Sequence, residues 1–314
     1  MSAKKLLLLL GVITLAVWLL NLIVTLGNVK LLSLVFIAFT LGLRHGFDAD
    51  HIVAIDNITR KFNSENRKSY TTGLFFALGH STIVFVLTLL IVLGVIQFKG
   101  SLGNIGDYGG IIGTVVSATF LFLTGFMNLR SLFHASSHSH NHLPAVGIIS
   151  FLTRKILNLV DRPLKMYLVG FLFGLGFDTA TEIALLGIAA SSALSGISVW
   201  SIMLLPISFA SGMILTDSFD SIFISKLYGS FNTNQQRLLV YNRIMLFSTG
   251  ILAFIVGFFE LAGLMATNSF GVSEILAKGS DFLDTYSEQI GIAIVVWCFI
   301  IWGISRYKTA SANS

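Results

Sequence analysis

The stretch Arg44-His45-Gly46-Phe47-Asp48-Ala49-Asp50-His51 lies in the middle of a long apolar segment of the sequence, from about residue 31 to about residue 58. A charged side chain at the centre of a bilayer costs roughly 2.5–3.5 kcal/mol even on the scale most tolerant of charge. So many ionisable groups in one apolar segment are therefore too costly to be kept for stability. We expect them to line a polar interior, and imidazole with carboxylate is a ligand set for first-row transition metals.

The composition is typical of a protein that crosses a membrane several times. Hydrophobic residues make up 54% of the 314 residues and charged residues only 11%, whereas a soluble domain has about 25% charged residues. The low proline content, three residues, favours long uninterrupted helices. We therefore expect an all-α, polytopic integral membrane protein with a single membrane domain over residues 1–314.

Apolar segments of spanning length predict eight transmembrane helices. They lie near 6–26, 31–58, 71–97, 109–133, 166–192, 199–225, 243–267 and 290–305. The first segment is too long for the apolar region of a signal peptide, so we expect it to be retained. The even number of spans predicts that both termini lie on the same side of the membrane.

The distribution of basic residues predicts which side that is. Sixteen of the 20 Lys and Arg residues, Arg60 among them, fall in the connections on the side of the termini, and three fall in the opposite set. Basic residues accumulate on the cytoplasmic side. We therefore expect a multi-pass protein of the plasma membrane with both termini in the cytoplasm, and the net charge of +5 does not indicate nucleic acid as a partner.

Two further features limit the possible functions. The single cysteine, Cys298, excludes a disulfide within the chain and a site built from several thiolates. The sequence has no phosphate-binding loop of the G-x-x-x-x-G-K-[ST] type, so we do not expect this chain to hydrolyse ATP.

The longest connection, at about 134–165, is rich in histidine at its start. The histidines are His134, His138, His140 and His142. Such a tract is typical of weak metal binding, and a flexible polar linker without a fixed site is the alternative. We consider metal buffering or sensing here, but we do not expect the transport site.

Other ionisable residues are predicted at a depth similar to that of the stretch at 44–51. They are His80, Asp178, Glu182, Asp217 and Asp220. The two acid pairs are spaced i,i+4 and i,i+3, so the members of each pair share one face of a helix. Arg44 alone cannot neutralise six intramembrane acids, so a bound cation or protons must supply the remaining positive charge.

Each of these residues also has a purely structural interpretation. A lone histidine within a membrane more often hydrogen bonds between helices than binds a metal, which is the alternative for His80. The acids of the fifth predicted helix would otherwise form a salt bridge with Arg44. Asp217 and Asp220 would otherwise bind protons or cap a helix.

If the second predicted helix is regular, Asp50 lies off the face that the other ionisable residues share. His45, Asp48 and His51 fall within about 120° of one another on a regular helix, and Asp50 does not join them. Gly42 and Gly46 make an irregular helix the alternative, since broken helices are common at the binding sites of transporters.

A short internal similarity suggests an inverted repeat. Gly46-Phe47-Asp48-Ala49 is similar to Gly176-Phe177-Asp178-Thr179, and the two predicted helices run in opposite directions. Related halves of opposite direction are a known architecture of secondary transporters.

With these residues in place, the chain resembles the nickel/cobalt transporter family over essentially its whole length. Residues Arg44 to Ile52 are similar to the family signature R-H-A-[VF]-D-A-D-H-I. Three further stretches resemble family motifs in the same order: Leu78–Thr82, Leu175–Glu182 and Gly212–Asp220. Gly46 replaces the usual alanine, and Phe219 stands where a small hydroxyl residue is commoner, so the preference between metals stays open.

The resemblance implies a permease for high-affinity uptake of Ni²⁺ and/or Co²⁺ that is not an enzyme and needs no cofactor. Its partners would be the divalent metal ion and the lipid bilayer, with no obligatory ATPase. The primary recognition site would consist of His45, Asp48, Asp50 and His51. The residues that complete the site, relay the ion or carry protons would be His80, Asp178, Glu182, Asp217 and Asp220.

Three alternatives remain at this stage. The chain would be a transporter for another divalent metal such as Zn²⁺ or Mn²⁺, a membrane component of an ATP-driven uptake complex, or an intramembrane enzyme. The enzyme is the weakest alternative because Gly174-Leu175-Gly176-Phe177-Asp178 has one residue too many for a G-x-G-D protease motif. A di-iron oxygenase would need more membrane histidines.

Overall fold

The computed structural model describes residues 2–65, 67, 69–97, 114–115, 117–126, 128–130, 160–175, 180–229, 235–267 and 274–307. Within these ranges the regular secondary structure is helical. Five helices are long and apolar enough to cross a membrane, and a bent pair of helices makes a sixth candidate span. The prediction of an all-α membrane protein is confirmed at this level.

The helices are numbered in chain order. They are α1 (Ala3–Val24), α2 (Val29–His45), α3 (Ala49–Ser64), α4 (Thr72–Gln97), α5 (Met166–Phe173), α6 (Ala180–Leu194), α7 (Val199–Ile202), α8 (Leu204–Gly229), α9 (Gln235–Thr267) and α10 (Glu274–Tyr307). Residues 114–115, 117–126 and 128–130 are also helical, and a 3-10 turn at Pro163–Lys165 leads into α5.

The second predicted span is a broken helix. α2 ends at His45, α3 begins at Ala49, and the two are bent by 54°. At the break the backbone N–H of Phe47 donates to Arg44 O at 2.8 Å, and that of Asp48 donates to His45 O at 2.9 Å. These i→i+3 bonds form a tight turn in place of α-helical bonds. The sequence left a regular and an irregular helix open over 31–58, and the irregular alternative is confirmed.

Two helix ends also differ from the prediction, in both cases because charged residues extend an apolar helix. α10 begins at Glu274, whereas the apolar pattern starts only at about 290. α3 continues to Ser64, so Arg60 lies buried within a helix and not in a cytoplasmic connection as predicted. The Nε of Arg60 donates to both carboxylate oxygens of Asp56, at 2.7 and 2.8 Å, which neutralises the buried guanidinium.

Glycines bring the polar helices into close contact. A Cβ on Gly42 of α2 would overlap the backbone of α8, and one on Gly212 of α8 would overlap the backbone of α2. Gly79 of α4 and Gly170 of α5 meet each other's helix in the same way. Small residues at such positions let membrane helices approach closely. A Cβ on Gly73 of α4 would likewise overlap the backbone of α8 at Asp217, so α2, α4 and α8 surround one interior.

Candidate metal centre

Three histidines from three helices meet in the interior and form what we call the histidine cluster: His45, His51 and His80. One ring nitrogen from each lies within 4.8 Å of the others, and all three side chains are buried. His45 is the last residue of α2, His51 lies in the first turn of α3, and His80 lies in α4. Nε2 of His45 is 3.1 Å from Nε2 of His80.

The break between α2 and α3 is what brings two of these histidines together. In a continuous helix, residues six apart are separated by about 9 Å along the axis and point in different directions. Across the break, the ring centroids of His45 and His51 are only 4.6 Å apart. A regular helix could not have placed both rings in one site.

A carboxylate contacts each histidine of the cluster. Asp48 Oδ2 lies 2.8 Å from His45 Nδ1, and Glu182 Oε1 lies 2.8 Å from His80 Nε2. Oδ1 of Asp217 lies 3.4 Å from His51 Nδ1. Carboxylates that hold imidazoles in this way fix the ring orientation and raise the basicity of the nitrogen that binds a metal.

The donor set fits a transition metal ion. Nε2 of His51 and Nδ1 of His80 are buried and have no hydrogen-bond partner among the described residues. Imidazole nitrogen suits Ni²⁺, Co²⁺ and Zn²⁺, whereas sites made of oxygen ligands alone suit Mg²⁺ and Ca²⁺. The buried Asp48, Glu182 and Asp217 would supply negative charge to balance a divalent cation.

The remaining predicted site residues have different surroundings where the structure describes them. Asp50 is half-buried, and its Oδ1 accepts a hydrogen bond from the backbone N–H of His51 at 2.8 Å. Asp220 is buried on α8, three residues after Asp217, and does not contact the histidine cluster. Asp178 lies outside the described residues, and so do the four histidines predicted in the long connection.

Arg44 pairs with Glu288 of α10, an acid outside the predicted site. Its guanidinium forms a salt bridge with Glu288 of α10 at 2.8 Å and is 60% exposed. Successive residues of a helix point about 100° apart, so the residue before the inward-facing His45 points away from the cluster.

The last helix packs directly on the break. Ser287 Oγ of α10 accepts a hydrogen bond from the backbone N–H of Ala49 at 3.1 Å, and a Cβ on Gly291 would overlap the carbonyl oxygen of Phe47. Together with the Arg44–Glu288 salt bridge, these contacts hold α10 against the turn. α10 therefore supports the turn between α2 and α3.

Sequence reasoning missed the uncharged residues that shape the site. Thr181 Oγ1 lies 3.1 Å from His45 Nδ1, and the rings of Phe76 and Phe209 pack against His51 and His45 at centroid distances of 4.8 and 5.4 Å. Apolar side chains on membrane helices carry no signal that separates them from lipid-facing ones. Thr181 lies one residue before Glu182 in a family-like motif, which was the available signal.

The two departures from the family pattern have different surroundings. A Cβ on Gly46 would lie 2.7 Å from Cβ of Thr216, so glycine fits the break beside this threonine. Phe219 is exposed on the outer face of α8, away from the histidine cluster, and its side chain does not enter the site.

Comparison with known proteins agrees with this geometry. The NicO family model, described as high-affinity nickel-transport protein, matches residues 31–307. The chain is 36% identical over 304 residues to the high-affinity nickel transport protein of Cupriavidus necator, over 90% of this chain and 87% of the relative. It is 37% identical over 285 residues to the nickel transporter NicT of Mycobacterium tuberculosis, over 85% of this chain and 76% of the relative.

A relative named for a different metal matches over a similar length. The cobalt transport protein NhlF of Rhodococcus rhodochrous is 34% identical over 283 residues, which cover 85% of this chain and 79% of the relative. No solved structure matches the chain. On the extent of these matches, the chain belongs to the NicO family of high-affinity nickel-transport proteins.

Proposed function

We propose that this protein is a permease that takes up Ni²⁺ or Co²⁺ across the plasma membrane and that the histidine cluster is its recognition site. The observation that carries the proposal is the meeting of three buried imidazoles from three helices, each in contact with a carboxylate. Intramembrane ionisable residues are costly and are usually functional. The names of the relatives, which include nickel and cobalt transporters, support both metals as substrates.

The metal ligands are proposed in two groups. His45, His51 and His80 bind the ion directly, and Asp48, Glu182 and Asp217 complete the coordination or hold the imidazoles. Asp50 supports the backbone of the first turn of α3, where its side chain accepts the His51 N–H. Asp178 and Asp220, the other acids predicted from the sequence, would belong to the path of the ion and not to the first site.

We further propose that the chain is one transport domain with eight spans and both termini in the cytoplasm. The described helices supply five or six spans. The helical residues between 114 and 130 and the pair α5–α6 would supply the others. α5 is followed by a turn at Gly174 and Leu175, so this pair would be broken like α2–α3, which also supports the inverted repeat. The basic residues of the connections support the orientation.

Uptake needs no ATP in this proposal. Moving one charge through 100 mV is worth about 2.3 kcal/mol, so a divalent ion that enters through −100 mV releases about 4.6 kcal/mol. The membrane potential alone would therefore support strong accumulation. The family assignment supports a transporter over an enzyme, and a transported ion with a bilayer is a sufficient set of partners.

Uptake of radiolabelled Ni²⁺ and Co²⁺ into proteoliposomes with an imposed inside-negative potential tests the proposal. We expect saturable uptake without ATP, and its loss in His45→Ala. Competition by Zn²⁺ or Mn²⁺ at equal concentration would favour the alternative that another metal is the substrate. Absence of uptake by the wild type, with an ATPase that copurifies from the membrane, would favour a component of an ATP-driven complex.

A further inference from the structure

A line of buried polar side chains continues from the histidine cluster along the interface of α3 and α8. Both helices run away from the cluster in the direction of their C-termini. The contact of His51 with Asp217 lies at the start of this line. At its far end Ser225 Oγ lies 2.6 Å from Ser69 Oγ, and Asn63 Nδ2 donates to Ser225 Oγ at 3.5 Å.

Between these ends lies a second group of buried charges, formed by Asp56 and Arg60 of α3 and Asp220 of α8. Arg60 is bound to Asp56 and also contacts Tyr241 Oη at 3.4 Å and Cys298 Sγ at 3.9 Å. Asp220 belongs to α8, which packs against α3, and its carboxylate lies within range of the charges of Asp56 and Arg60. All three charged side chains are buried.

With both carboxylates ionised, this group of two acids and one arginine carries one net negative charge. Neither carboxylate oxygen of Asp220, nor Nη1 of Arg60, has a hydrogen-bond partner in the part of the chain that the structure describes. A buried ion is stabilised only when a partner of opposite charge and hydrogen bonds replace its hydration. Arg60 is held by Asp56, so Asp220 is left with a carboxylate that is suited to receive a cation.

We propose that Asp220 and Asp56 form a second, carboxylate-only station for a divalent cation, and that Arg60 is the tethered cation that neutralises Asp56 between ions. This inference rests on the proposed transport function and adds a step to it. The ion would move from the histidine cluster to this station and then along Ser225 and Asn63. The station lies about one to one and a half helical turns beyond the cluster, from the spacing of Asp217 and Asp220 and of His51 and Asp56.

The chemistry of the two sites suits ordered movement in one direction. Imidazole binds Ni²⁺ and Co²⁺ better than carboxylate oxygen does, so the cluster captures the ion and the station holds it less tightly. Arg60 competes with the ion for Asp56, which speeds release. A station without this competing charge would retain the metal.

The first test compares Asp220→Asn with Asp281→Asn, which removes an exposed acid of α10. Ni²⁺ binding by the purified protein and uptake by proteoliposomes are both measured. We expect Asp220→Asn to keep the affinity of the cluster and to lose at least about tenfold in uptake rate, the smallest loss typical of a disturbed metal site, and Asp281→Asn to match the wild type. Near-normal uptake by Asp220→Asn, or an equal loss of binding at the cluster, would overturn the proposal.

The second test removes the tethered cation. We expect Arg60→Gln to bind one more Ni²⁺ per protein than the wild type, and the double variant Arg60→Gln/Asp220→Asn to lose that ion. Arg60→Lys keeps the charge and should restore the wild-type stoichiometry. A folded Arg60→Gln protein that binds no additional Ni²⁺ would contradict the station.

Two outcomes separate this inference from the proposed function. If Arg60→Gln does not fold, the comparison of Asp220→Asn with Asp281→Asn is the remaining test of the second station. Wild-type protein that neither binds nor transports Ni²⁺ or Co²⁺ would defeat the permease itself. If the wild type and Asp220→Asn transport at the same normal rate, only the second station is contradicted.

Discussion

Nε2 of His45 and Nε2 of His80 face each other at 3.1 Å. A neutral imidazole has one N–H and one lone pair, so only one of these two nitrogens can donate to the other. A metal ion that accepts a lone pair from each nitrogen would take the place of this contact. The two rings therefore need only a small displacement to pass from a hydrogen-bonded pair to a pair of ligands.

The histidine cluster, and not the histidine-rich connection, should determine transport. We expect His45→Ala, His51→Ala and His80→Ala each to lower Ni²⁺ affinity by about 10–100-fold or more, because the cost of disturbing even the supporting residues of a metal site has that size. Isothermal titration with Ni²⁺ measures the affinity directly.

The control is a variant with all four histidines of the connection, at 134, 138, 140 and 142, changed to alanine. It removes more imidazoles than any single variant of the cluster and should leave the uptake rate unchanged. If this variant loses transport while the cluster variants keep it, the assignment of the recognition site is wrong.

Substitution of Asp48 should lower the affinity for metal without lowering the stability of the fold. It is the N-cap residue of α3, yet its side chain makes no capping hydrogen bond and contacts His45 Nδ1. Serine is as good an N-cap as aspartate. We therefore expect the free energy of unfolding of Asp48→Ser to lie within about 1 kcal/mol of the wild-type value. Ni²⁺ affinity should fall by about 10–100-fold because His45 loses the carboxylate that orients it.

A matched change at another helix start is the control for Asp48→Ser. Asn28 is the N-cap of α2, and its side chain accepts the backbone N–H of Leu31 at 3.0 Å. Asn28→Ser should retain both stability and Ni²⁺ binding. Equal losses of affinity in the two variants would mean that the effect comes from capping and not from contact with His45.

The contact of α10 with the turn between α2 and α3 should depend on Gly291, because glycine has no Cβ. A Cβ on Gly291 would overlap the carbonyl oxygen of Phe47, so Gly291→Ala must push α10 away from the turn. We expect it to lower the free energy of unfolding by about 1–3 kcal/mol, the usual cost of overpacking. Gly303→Ala in the same helix meets no atom within 4 Å and should be neutral or stabilising, and thermal unfolding in detergent measures both.

The orientation of the chain can be tested with single cysteines. In a Cys298→Ser background, we expect Leu26→Cys, at the exposed end of the α1–α2 turn, to react with a membrane-impermeant maleimide in intact cells. Ser2→Cys should react only after permeabilisation, because the positive-inside rule places the N-terminus in the cytoplasm. The reverse pattern of labelling would invert the proposed direction of transport.

The sequence indicates which histidines belong to the candidate site, but not how they come together. His45, His51 and His80 stand out because their burial in apolar segments is costly, and the structure brings all three together. The pairing of His80 with Glu182, and of His51 with Asp217, depends on contacts between helices that no local pattern contains. The weak signal for Arg60 was its i,i+4 spacing from Asp56, which permits neutralisation within one helix.

The break at Gly46 was only partly predictable, for a physical reason. Apolar residues occur on both sides of residues 46–48, such as Leu43 before them and Ile52 after them, so the pattern of apolar residues does not distinguish a bent helix from a straight one. Gly42 and Gly46 permit the bend, but Gly42 is used for close packing on α8. The α10 contacts at Ala49 and Phe47 stabilise the turn, and the local sequence does not contain them.

Interruption of the helix at residues 46–48 also changes the electrostatics of the membrane interior. A helix that stops at His45 presents the negative end of its macrodipole, equivalent to about half an elementary charge, beside the histidine cluster. The positive end of α3 begins next to it, where Asp48 and Asp50 offset it. A straight helix has no ends at this depth, so the break itself supplies part of the field that attracts a cation.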